Sequence, residues 1–132
     1  MYLFFIESAN ERVVQCDCSM RFDLEFQDAL NNPFSAPYRQ TSSMCGGALR
    51  QMFGSTSCGL RNPSAIRWSF ARGSIIATAL GVEVTNAQDA DDVIAQLQDF
   101  DVSTIPNMQS FEVTATRKLH FFYLKTHRLR SI

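Results

Sequence analysis

Four cysteines, at positions 16, 18, 45 and 58, and two histidines, at 120 and 127, are the residues of this 132-residue chain best suited to covalent or metal chemistry. Cys45 lies in the run Gln40-Thr41-Ser42-Ser43-Met44-Cys45-Gly46-Gly47-Ala48-Leu49, which predicts a helix over residues 43–53, stopped by Gly54. A cysteine near a helix start feels the positive end of the macrodipole, which favours the thiolate. Small neighbours admit a substrate backbone, and a nearby amide such as Gln40 could help stabilise an oxyanion. A thiolate nucleophile also needs a general base. His120, at the start of an aromatic run, suits that role better than His127 in the basic tail. The plainer assignment makes Cys45 a small apolar packing residue and His120 a core histidine held by one backbone partner.

A metal centre is the next chemistry to weigh. Cys16 and Cys18 fall on one face of a strand, and Cys45, Cys58, His120 and His127 could complete a tetrahedron. The paired two-residue knuckles of common zinc sites are absent. Val14 shares the face of Cys16 and Cys18, so buried thiols behaving as hydrophobes are expected there, with no metal and no cofactor. Gly46-Gly47 lacks the preceding strand and the lysine of a phosphate loop. Asp91 and Asp92 are adjacent at a helix start and suit capping better than acid–base work.

The run Gln40…Cys45-Gly46-x-Ala48-Leu49…Phe53-Gly54 resembles the nucleophile helix of papain-like cysteine peptidases, in particular the double-glycine leader peptidases. Gly73-Ser74-Ile75-Ile76…Leu80-Gly81-Val82 is similar to the second helix and following strand of that family. Ile105-Pro106 and then Leu119-His120-Phe121-Phe122-Tyr123 are similar to the strand pair that bears its histidine. The resemblance spans about residues 40–125. It implies Cys45 as nucleophile, His120 as general base, Gln40 as oxyanion residue and a peptide substrate. The orienting role would be vacant, or fall to a backbone carbonyl or to Asn107.

The elements that must position these residues are read from hydrophobic period and turn residues. Residues 2–7 and 11–18 alternate as strands around the turn Ser8-Ala9-Asn10, predicting a hairpin. Residues 22–31 repeat Phe22, Phe26 and Leu30 at helical spacing until Pro33 forbids continuation. Residues 33–43 form a loop with Pro33 and Pro37. Asn62-Pro63 predicts a helix start, with Ile66, Phe70, Gly73, Ala77 and Leu80 on its stripe. Residues 82–84 make a short strand. Asp89 caps a helix to about Phe100 with Val93, Leu97 and Phe100 as its buried stripe, and residues 110–116 and 119–126 are two more strands. The expected architecture is a single α+β domain over residues 1–132: an antiparallel sheet built from an N-terminal and a C-terminal hairpin, with helices on one side.

Composition bounds the rest. Hydrophobic residues are 45% and charged residues 19% of the chain, globular proportions, and eleven Phe predict an aromatic core. Residues 1–6 are apolar, but Glu7, Asn10, Glu11 and Arg12 follow, so no leader, no membrane span and a cytoplasmic location with free thiols are expected. Charge runs in blocks. Arg50, Arg61, Arg67 and Arg72 stand alone among residues 41–81. Glu83, Asp89, Asp91, Asp92, Asp99, Asp101 and Glu112 meet no base among residues 82–112, and the tail is basic. Such blocks either pair within the fold or present faces to partners. No basic run interleaves with aromatics, so nucleic acid is not the expected partner. Beside the peptidase reading stands a small non-catalytic accessory or inhibitor protein of phage, plasmid or pathogen type, docking a host macromolecule through its charged faces.

Overall fold

The fold is that of a computed structural model that describes residues 13–116. The strand β1 (Val13–Phe22) buries Cys16, Cys18, Met20 and Phe22 on one face by simple alternation. It is central: β4 (Ile75–Thr85) pairs antiparallel on one side and β5 (Met108–Ala115) on the other. The short strands β2 (Gly59–Leu60) and β3 (Trp68–Ala71) share the far edge of β4, giving a five-stranded antiparallel sheet of order β2-β4-β1-β5. The helices α1 (Ala36–Gly54) and α2 (Ala90–Gln98) contribute to one core with the inner face of this sheet. The α+β class, the antiparallel sheet and the one-sided helices are as the sequence predicts.

Several elements differ from the prediction, each for a local reason. The strand β1 runs on through Phe22, and no helix covers residues 22–31, only a single 3-10 turn at Asp28–Asn31. Pairing on both sides outweighs a three-residue helical stripe. The helix α1 begins well before Ser43. Ser35 caps it, its hydroxyl accepting from the Tyr38 N–H at 3.2 Å, and Pro37 sits in the first turn, where a missing N–H costs nothing. The predicted helix after Asn62 is one 3-10 turn, Pro63–Ala65, followed by the β3–β4 hairpin. Gly73 and Ser74 form its two-residue turn, both at positive φ, as the twist of a tight hairpin requires. The strand expected over residues 82–84 is the end of the eleven-residue β4.

One irregularity ties the sheet together. Cys16 faces Val82 and Cys18 faces Ala79, so Leu80 and Gly81 both oppose Asp17. This bulge puts Gly81 at φ +66°, and its N–H donates to Asp17 Oδ1 at 2.9 Å. Thr116 Oγ1 donates to the same oxygen at 2.8 Å, fastening the end of β5. Leu80 is turned out and is 73% exposed.

The described part of the core mixes aromatic and aliphatic residues. Phe22 and Phe53 are buried, Phe34 is 87% exposed, and most other core positions are Met, Cys, Leu, Val, Ile and Ala. The expected strands at residues 2–7 and 119–126 lie outside the described residues.

Candidate functional site

The buried stripe of α1 is Cys45, Ala48, Leu49, Met52 and Phe53, the i, i+3, i+4, i+7, i+8 pattern of a helix face laid on a core. Cys45 is therefore a packing position in mid-helix, and it is fully buried. Its distance from Ala36 removes the macrodipole argument, which acts only within the first turn. Burial instead pushes its thiol from 9.0 up to about 12.

Gln40 is exposed on the same helix, five residues earlier. At about 100° per residue it points roughly 140° away from Cys45. It lines a shallow surface hollow with Leu24, Gln27, Leu30 and Ile75. Asn107 sits at φ +64° in the turn before β5, its carbonyl accepting from Asp23 N–H at 2.7 Å. His120 and His127 lie outside the described residues. Among the described residues, Cys45 and Gln40 are not brought onto one face.

The other three cysteines are also buried free thiols. Burial, then the charge of Asp17, raises Cys16 to about 11; burial, then Cys16, raises Cys18 to about 12. Burial also raises Cys58, partly offset by a hydrogen bond with Thr56. Among the described residues no cluster of three or more His, Cys, Asp or Glu side chains could hold a metal.

A different site is built at the opposite edge of the sheet. Between α2 and β5 runs a groove of about 450 Å³, floored by Met52 and Leu97 and walled by Ile94, Phe100, Val102, Phe111 and Val113. Its rim is acidic. Asp99 and Asp101 alternate with Phe100 and Val102 after α2, and Glu112 lies between Phe111 and Val113 on β5. Some of these acids also shape the backbone. Asp89 caps α2, accepting from the Asp92 N–H at 2.9 Å. Asp101 caps the 3-10 turn Val102–Thr104, and hydrogen bonds from the Ser103 hydroxyl and amide hold its carboxyl below the usual range. Gln96 accepts from Ser57 N and Oγ, both at 2.9 Å, fastening α2 to the loop after α1.

The charge blocks pair little among the described residues. Arg61–Glu83, at 3.7 Å, and Arg72–Asp28 are the two ion pairs there. Six of the seven acids of residues 82–112 thus have no ion-pair partner among the described residues. The sequence showed the acidic block but not the groove, because the groove needs β5 beside α2 rather than merely after it. No helix among the described residues is long and apolar enough to cross a membrane. No protein-family model matches the chain, and neither a curated protein nor a solved structure does.

Proposed function

We propose that this chain is a small non-catalytic binding protein of accessory or inhibitor type, which docks a protein partner through an acidic face. The observation that carries this reading is that the acids of residues 89–112, none of them ion-paired among the described residues, stand on or next to α2 and β5, the elements that border an apolar groove. Apolar floor with charged rim is the anatomy of a protein interface: the floor supplies affinity and the rim steers a partner of opposite charge. The partner this selects has a basic surface.

The peptidase reading finds less support. A nucleophilic cysteine needs a lowered pKa and access to substrate; Cys45 has burial and a raised pKa. Labelling with iodoacetamide across pH separates the two readings. We expect Cys45 of the native protein to alkylate slowly at pH 6–8 and to label freely only once the chain is unfolded. Fast alkylation at pH 6 that slows in His120→Ala would return the protein to the cysteine peptidases.

A further inference from the structure

The groove borders the free edge of the sheet, which tells what shape of partner it takes. β5 ends the strand order and has no partner on its second side among the described residues. Thr116 N–H donates to Gln15 O at 3.2 Å, and Gln15 and Thr116 continue the register in which Asp17 faces Thr114. Backbone groups alternate along an antiparallel ladder, so Ser110, Glu112 and Thr114 also turn theirs toward β1. The N–H and C=O groups of Phe111, Val113 and Ala115 face away from β1, where no other strand among the described residues pairs with them. Such a row is a template for one more strand.

The two faces of β5 then dictate the pattern of that strand. Phe111 and Val113 lie on the sheet face that the groove covers, and Glu112, on the alternate face by strand alternation, meets the groove at its margin. A strand laid beside β5 alternates in the same way, putting every second side chain over the apolar groove and the others beside Glu112.

We propose that β5 and the groove bind an extended segment of a partner protein, by strand addition, in which Lys or Arg alternates with large apolar side chains. The inference rests on the binding reading above and adds to it the site, the conformation and the residue pattern of the partner. Backbone hydrogen bonds supply register, the groove anchors the apolar side chains, and Glu112 selects for the basic ones.

The test uses the full chain and synthetic peptides matched to the eight residues of β5. One alternates Lys with Phe or Leu, one has the same composition with the Lys residues in a block, and one carries Glu for Lys. We expect the alternating basic peptide to bind best, to weaken with salt, and to protect the Phe111, Val113 and Ala115 amides from hydrogen exchange. Glu112→Lys should weaken it. Ala115→Pro removes an edge N–H from an exposed position without touching the ladder to β1, and should weaken binding about tenfold, the size of one or two lost hydrogen bonds. Binding that Glu112→Lys abolishes but Ala115→Pro leaves intact, with no new amide protection, overturns strand addition and leaves the acidic docking face standing. Equal, salt-insensitive binding of all three peptides, or none, overturns both. If the three amides are already protected in the free monomer, the edge is filled by another segment of the chain itself. If protection instead grows with protein concentration alongside a dimer, the edge is filled by a second copy. Either result overturns the proposal.

Discussion

The buried stripe of α1 and the groove beside β5 divide the molecule's chemistry in an instructive way. The stripe holds Cys45, a residue type that invites a catalytic reading, yet encloses it among Ala48, Leu49 and Met52. The groove is lined mainly by ordinary residues, Leu97, Phe111, Val113 and Glu112, yet it is open, and Glu112 has no ion-pair partner among the described residues. Residue type signals chemistry only when solvent or a partner can reach it. Among the described residues the cysteines are enclosed and less reactive side chains are presented.

Stripe and groove should respond in opposite ways to polar groups. Cys45→Asp would place a carboxyl where nothing solvates it, and should cost several kcal/mol, enough to leave a domain of this size largely unfolded. Cys45→Ser should cost about 1–3 kcal/mol through an unsatisfied hydroxyl, and Cys45→Ala clearly less than Asp. Glu112→Lys, on an exposed strand position, should stay within about 0.5 kcal/mol of the parent. Urea denaturation of the four proteins checks the order. Near-equal midpoints for Cys45→Asp and Glu112→Lys would mean that Cys45 is accessible after all.

The enclosed thiols also predict a pH dependence of definite sign. Cys16, Cys18 and Cys45 are raised to about 11, 12 and 12 in the folded chain. The unfolded chain releases these protons near the ordinary value of 9.0, so above that pH it binds fewer protons than the native state. The contribution is fully present below about pH 9 and is lost as pH rises toward 12, by at most about 1.4 kcal/mol per pH unit for each thiol. Thermal midpoints from pH 7 to 11 should fall more shallowly for Cys45→Ala than for the parent. Parallel curves would show that the Cys45 thiol ionises alike in both states.

The smallest expected effect sharpens the helix itself. A Cβ added at Gly46 or Gly47 meets nothing within 4 Å among the described residues, so these glycines serve no close approach there. Gly46→Ala and Gly47→Ala should each stabilise α1 by about 0.5–1 kcal/mol. A destabilised Gly47→Ala, seen in the same urea titration, would mean that something packs closely against that turn.

Legibility in the sequence followed how far each signal depended on neighbours in space. Asp89 with Asp91, Asp92, Val93 and Leu97 announced α2, because capping and a helical stripe are both local. Residues 110–115 announced β5 through alternation. The β3–β4 hairpin was hidden, since Phe70, Gly73, Ala77 and Leu80 fit a helical stripe as well as a strand, and small residues carry little propensity to decide. The start of α1 was hidden by Pro37, which breaks a helix interior but suits a first turn; Ser35 three residues before Tyr38 was the missed signal.

By itself the sequence determined the α+β composition of elements, the acidic block of residues 82–112 and the cysteines facing one way on β1. Those properties follow from local period and from charge, which need no folded neighbour. Only the tertiary structure decided that Cys45 lies inside and that the acidic block borders a groove. Burial and adjacency arise when β5 pairs with β1 and α1 is laid on the sheet, and contacts between residues distant in the chain are written in no single stretch of it.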